Sequence, residues 1–103
     1  MRIAVASTDG ITVNEHFGKA ERFLIYELSA DSLEMIEERG IEPLSVGDPK
    51  HGFDKLKFTR IADQISDCKK VYVVKIGDKP AEELTNLGIE PVVFEGTISS
   101  IKN

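Results

Sequence analysis

Apolar and polar positions change period several times along the chain, and each change marks an element. Residues 2–7 are small and β-branched, with one charge at the edge, which is the pattern of a buried strand. Asp9 and Gly10 form a hairpin-type turn signal. Ile11 and Val13 then alternate with Thr12 and Asn14 as a brief extended piece. Residues 22–28 predict a second strand, with Phe23, Ile25 and Glu27 pointing one way and Leu24, Tyr26 and Leu28 the other. After the turn at Ala30, Asp31 and Ser32, residues 33–42 fit two periods. Leu33 and Met35 would share a strand face, whereas Leu33 and Ile36 would share a helix face. Glu34, Glu37, Glu38 and Arg39 favour helix by propensity, and the short Ser29–Ser32 connection favours a hairpin partner.

Pro43, Gly47, Asp48, Pro49 and Gly52 punctuate a loop, the longest irregular piece of the chain, and long loops in compact domains often carry function. Asp54 can cap the helix that follows, with Thr59 as the other candidate. Phe58, Ile61, Ala62 and Ile65 fall at i, i+3, i+4 and i+7 and predict an amphipathic helix ending near Asp67. Residues 71–76 predict a buried strand. Gly77 to Pro80 opens a second helix, with Asp78 as its cap, Pro80 in the first turn, and Glu82 and Glu83 near the positive end of the helix dipole. Ala81, Leu84 and Leu87 are expected to face the core, and Gly88 to stop the helix. Residues 91–94 are a short strand whose leading proline suits a strand start or an edge. Gly96 to Asn103 reads as one helical turn with Ile98 and Ile101 inward. Short early turns predict an antiparallel meander of three strands, and helical crossovers predict parallel later strands. The expectation is an α/β fold over residues 1–103 as a single domain: a mixed five-stranded sheet, its first three strands antiparallel, with helices on its faces.

Composition narrows the class. A chain of 103 residues fits one domain, and 41% apolar content argues against disorder. No apolar run approaches the ~20 residues of a membrane span, and residues 1–5 are a strand pattern, not a leader. The single cysteine, Cys68, cannot form an internal disulfide, which agrees with a reducing compartment. A soluble cytoplasmic protein is the expectation. A net charge of −5 disfavours a nucleic-acid surface, and the Glu34, Glu37 and Glu38 patch reads as a solvated face.

Candidate chemistry concentrates at one rim. If the first strand and the strand at 71–76 are parallel neighbours, the Ser7–Gly10 turn and the Gly77 turn both leave their carboxyl ends, where open α/β sheets bind ligands. N–H groups at a helix start attract anions, and Lys19, Arg22 and Lys75 would add positive charge. The glycines could equally serve turn geometry alone. His16 sits in a polar turn flanked by Asn14, Glu15, Gly18 and Lys19. A neutral imidazole binds iron or molybdenum well, and an ordinary surface histidine fits the same pattern. Gly18 would let the backbone turn sharply and a bulky partner approach. Phe17 is expected to anchor the loop in the core. Cys68 reads as a small buried hydrophobe. One cysteine excludes a permanent thiolate-held iron–sulfur cluster and argues against structural zinc. Any metal cluster must therefore be held by few protein ligands, which suits release.

The combination of Ser7, Asp9, Gly10, Val13, His16, Phe17, Gly18, Ala20, Phe23, Ile25 and Tyr26 resembles the opening of the nitrogenase iron–molybdenum cofactor-binding family. Lys75 to Gly77, then Leu84, Leu87, Gly88 and Ile89, extend the resemblance over nearly the whole chain, strongly to about Glu27 and more loosely beyond. It implies a ribonuclease H-like fold, a strand at 33–42, and a non-enzymatic protein that transiently carries an iron–sulfur or iron–molybdenum cluster between donor and acceptor proteins. Family members often continue into a longer helix after Gly96. The family places a cofactor-contacting histidine in its His-Phe-Gly motif, which makes His16 the expected metal ligand. The candidate cofactor-binding set is then His16, Phe17, Gly18, Ser7, Asp9, Gly10, Lys19, Arg22 and Gly77, with His51 approaching from the facing loop. Related proteins often carry His or Cys in a glycine-rich loop there. The competing reading is a small regulatory or protein-interaction domain whose site is idle. A nuclease is disfavoured, because two-metal chemistry needs converging carboxylates and Ala4, Val5 and Ala6 hold none.

Overall fold

A computed structural model describes residues 1–44 and 53–102. The first strand, β1 (Arg2–Val5), is apolar on both sides: Ile3 and Val5 face one way, Ala4 and Ala6 the other, and all four are fully buried. Only a central strand covered on both faces accommodates that pattern. Accordingly β3 (Arg22–Leu28) pairs with β1 antiparallel, placing Ile25 opposite Ala4, and β5 (Lys70–Val73) pairs with it parallel, placing Val71 opposite Ala4. β4 (Leu33–Gly40) lies antiparallel on the outer edge of β3, and β6 (Glu90–Val93) parallel on the outer edge of β5. The five-stranded order is β4-β3-β1-β5-β6.

Residues 33–40 are therefore strand. The tight turn, in which Ser29 N–H donates to the Ser32 carbonyl at 2.9 Å, delivers the chain directly to the free edge of β3. That pairing outweighs the helical propensity of the glutamates, which line an exposed edge. A register shift opposite Ile25 and Tyr26 bends the edge, a common protection against unwanted strand addition.

Both helices lie on one face. α1 (Lys55–Gln64) and α2 (Asp78–Asn86) bring Phe58, Ile61 and Leu84 against Ala4, Ala6, Phe23, Ile25, Val71 and Val73. The opposite face is covered by a two-stranded ribbon, β2 (Thr12–Val13) with β7 (Gly96–Thr97), and a 3₁₀ turn at Ile98–Ser100. Val13, Ile98 and Ile101 pack there on Ile3, Val5, Leu24, Tyr26 and Tyr72. This corrects the expectation of helices on both faces. The crossovers β4-α1-β5 and β5-α2-β6 run the same way along the sheet, so one handedness puts both helices on the same side.

Three helix ends also differ from the sequence pattern. Asp54 caps α1 as expected, accepting from Lys57 N–H at 3.0 Å, but the helix stops at Gln64, short of Asp67. α2 is capped by Gly77 with no side-chain bond, and Asp78 is its first helical residue, not its cap. Leu87 is 59% exposed, because it closes the helix as the chain swings into Gly88 at φ 83°. The strand at 71–76 ends at Val73, and the segment beyond it takes a different partner.

Candidate functional site

At the carboxyl end of β1 the chain enters a turn closed by side chains. The Asp9 carboxylate accepts from Ile11 N–H at 2.9 Å, Thr12 N–H at 2.8 Å, Thr12 Oγ1 at 2.9 Å and Ser7 Oγ at 3.1 Å. These bonds, led by the two backbone donors, hold its carboxyl well below the usual carboxylate range. Ser7 is 2% exposed and its hydroxyl accepts from Gly10 N–H at 2.9 Å. Gly10 has φ 74°, a conformation that favours glycine. The side chains of Ser7 and Asp9 are thus spent inside the turn, on each other and on Gly10, Ile11 and Thr12.

The segment that follows carries His16 back across the rim. β1 and β5 remain bonded up to Ala6 N–H on the Tyr72 carbonyl at 2.9 Å. Beyond that point residues 14–17 replace β1 as the partner of the β5 extension. Asn14 N–H donates to the Ala6 carbonyl at 3.3 Å, Val74 N–H to the Glu15 carbonyl at 3.0 Å, and Phe17 N–H to the Lys75 carbonyl at 2.9 Å. His16 forms a parallel bridge with Lys75 and leads into a 3₁₀ turn at Phe17–Lys19. The histidine is half-buried. Phe17 is fully buried, its ring 5.9 Å from that of Phe23 and 6.3 Å from that of Phe58, so it fastens the loop to the core. Gly18 lies inside the 3₁₀ turn, and the positive-φ glycines among the described residues are Gly10, Gly88 and Gly96. The sharp bend expected at Gly18 is a 3₁₀ turn made without a positive φ.

Ser7, Thr8, Glu15, Lys19, Glu21 and Arg22 line an open groove of about 560 Å³ beside this segment. Its charge is mixed, since Glu15 and Glu21 face it as well as Lys19 and Arg22. Glu15 turns its carboxylate to His16 N–H at 2.8 Å. Arg22 donates through Nε to the Ser7 carbonyl at 3.3 Å and through Nη2 to the Thr8 carbonyl at 2.8 Å, and it pairs with Glu38 on β4. Its role is therefore to brace the turn, with less charge available for a ligand than the sequence implied. Glu38, read as part of a solvated face, is its partner.

Gly77 reaches the same rim, two residues beyond Lys75. Its backbone is extended, with φ −71° and ψ 159°. The first turn of α2 offers N–H groups of Asp78 and Lys79, while Pro80 has none to give. His51 lies outside the described residues, as do residues 45–52 of the loop expected from Pro43 to Gly52. Cys68 is buried in the core between the helices and the sheet, 2% exposed, as a hydrophobe would be. Asn14, Thr8 and Glu15 hold or line this rim and were not among the residues singled out. Their only signal was polarity between two apolar strands.

A family model described as dinitrogenase iron-molybdenum cofactor matches residues 1–102. The chain is 37% identical over 98 residues to the FeMo cofactor biosynthesis protein NifB of Chlorobaculum tepidum, covering 93% of this chain and 22% of that protein. It is 30% identical over 92 residues to the protein NifY of Azotobacter vinelandii, covering 89% of this chain and 35% of that one. The chain thus spans between a fifth and about a third of these relatives. In fold it is similar to the crystal structure of PH0822, with a TM-score of 0.71 and 24% identity over 98% of this chain and 84% of that one.

Proposed function

The chain belongs to the dinitrogenase iron–molybdenum cofactor family, and we propose that it binds an iron–sulfur cluster, with or without molybdenum, as transient cargo held through His16. The observation that carries this is the placement of His16. It is half-buried at the carboxyl rim of the sheet, its backbone fixed to the β5 extension and its neighbour Phe17 sunk in the core. The main chain on both sides of the histidine is held in place. The sequence holds one cysteine and two histidines, so on this reading the cargo has few protein bonds and exchanges readily. Lys19 and Lys75 supply positive charge at the same rim. His51 is proposed as a further protein group for the same cargo.

The reading is of an accessory protein, not an enzyme, that works with cluster-donor and cluster-acceptor proteins in the reducing interior of the cell. The kinship with NifB and NifY supports a place in cofactor assembly. No described helix is long and apolar enough to cross a membrane. The sheet order, with an antiparallel meander followed by parallel crossovers, supports assigning the fold to the ribonuclease H-like class. Fold alone carries no catalytic claim, and β1 places only Ala4, Val5 and Ala6 where a nuclease would need acids.

The test is an anaerobic titration with extracted iron–molybdenum cofactor, followed by visible absorption, for wild type and His16→Ala. The variant should lose at least about tenfold in affinity while keeping its melting temperature. Protons compete with metal for an imidazole, so wild-type affinity should fall as the pH is lowered. Equal affinity in the two proteins would remove His16 from the site and favour the interaction-domain reading.

A further inference from the structure

We propose that Asn14 positions His16 for its cargo, an inference that rests on the reading of His16 as ligand. Asn14 makes a two-bond clasp with Thr8. Thr8 N–H donates to Asn14 Oδ1 at 2.9 Å, and Asn14 Nδ2 donates to Thr8 Oγ1 at 2.8 Å. Its main-chain N–H donates to the Ala6 carbonyl at 3.3 Å, so the residue is tied to the exit of β1 three times. The two neighbours of His16, Glu15 and Phe17, are tied to Val74 and Lys75. His16 therefore stands between two main-chain bonds to the β5 extension, and the Asn14 side chain fastens the residues just ahead of them to the exit of β1.

The clasp is distinct from the machinery that closes the turn. The Asp9 carboxylate and the Ser7 hydroxyl already satisfy the N–H groups of Gly10, Ile11 and Thr12. Asn14 reaches past them to Thr8, on the far side of the turn and on the wall of the groove. Thr8 is in turn held through its carbonyl by Arg22. Asn14 is exposed and outside both core clusters, so its polar bonds, not packing, are what it contributes. Losing the clasp leaves only main-chain bonds to hold this segment against the groove wall and loosens the position of the histidine relative to Thr8. A histidine that samples several positions binds metal less tightly than one held in place, the same reason that hydrogen bonds to metal-ligating histidines matter in metal sites.

The variants are Asn14→Ala, Asn14→Asp, Thr8→Val and His16→Ala. Each is titrated anaerobically with iron–molybdenum cofactor extracted from a dinitrogenase, read by visible absorption and by nitrogen modulation of the cluster's electron paramagnetic resonance. Asn14→Ala should weaken binding about tenfold and diminish the modulation that reports a bonded imidazole. Asn14→Asp should return to within about threefold of wild type, because aspartate accepts from Thr8 N–H while the Thr8 hydroxyl turns to donate. Thr8→Val, which deletes one bond of the clasp, should fall between wild type and Asn14→Ala. Wild-type affinity and modulation in Asn14→Ala, with both lost in His16→Ala, would overturn the positioning role and leave His16 as ligand. His16→Ala indistinguishable from wild type would overturn both. An Asn14→Asp protein as weak as Asn14→Ala would also count against the clasp. If Asn14→Ala does not fold, Thr8→Val decides: wild-type affinity and modulation there overturn the proposal.

Discussion

The chain leaves β1 through a turn closed by side chains, and leaves β5 through one closed by main chain. Both exits lie at the same rim. The first gathers its N–H groups onto Asp9 and Ser7, needs a positive φ at Gly10, and is braced from outside by Arg22. The second runs straight from Lys75 through an extended Gly77 into α2, with no capping side chain. The difference lies in what each must do. The first turn reverses the chain and returns it as the His16 segment, so its geometry sets where the histidine stands. The second only hands a strand to a helix, and helix nucleation with Pro80 in the first turn is enough.

The comparison predicts a ranking of substitutions. The heaviest blow falls on Phe17, which anchors the span between the two exits. Phe17→Ala should cost about 3–5 kcal/mol by denaturant unfolding, since it empties a site shared with Phe23 and Phe58. A loss below about 1 kcal/mol would mean that the His16 loop is not fastened through its ring. Asp9→Ala comes next, with a pH signature. The folded-state pKa of Asp9 is depressed, so its stabilising contribution is complete above the usual carboxylate value of about 4 and is lost as pH falls below it. The variant should melt earlier than wild type at neutral pH, and the gap should shrink in acid. A gap independent of pH would show that the carboxylate does not close the turn.

Gly10→Ala should cost on the order of 1 kcal/mol, because alanine resists φ 74° although open space surrounds the position. An unchanged melting temperature would place the strain elsewhere. At the second exit the sign reverses. Gly77→Ser should stabilise by a few tenths of a kcal/mol by giving α2 the cap it lacks. Destabilisation there would show that the second turn is as constrained as the first.

Legibility in the sequence follows the same division. β3 was readable to the residue, because Phe23 and Ile25 alternate with Leu24 and Tyr26 and a period of two is local information. Asp54 and the core position of Leu84 were readable for the same reason. The β2–β7 ribbon was not, since two-residue strands carry no period and the partner of Val13 is Gly96, far along the chain. The side of the sheet taken by each helix depends on strand order, which no single segment encodes. In the site, His16 and Phe17 stood out by residue type. That Arg22 would be occupied by Ser7, Thr8 and Glu38 required knowing that β4 lies beside β3.

Cys68 has a practical consequence. It is 2% exposed, its thiol donates to Asp67 Oδ1 at 3.6 Å, and burial, with the Asp67 charge adding to it, pushes its pKa up to about 12. Maleimide and iodoacetamide reagents attack exposed thiolates, so the folded protein should resist them. A cysteine introduced at Lys19, which is exposed on the groove, would then be the one thiol that reacts. A single dye or spin label could be attached there without first deleting the native residue, and, sitting in the 3₁₀ turn that His16 leads into, it would report any arrival and departure of the proposed cargo.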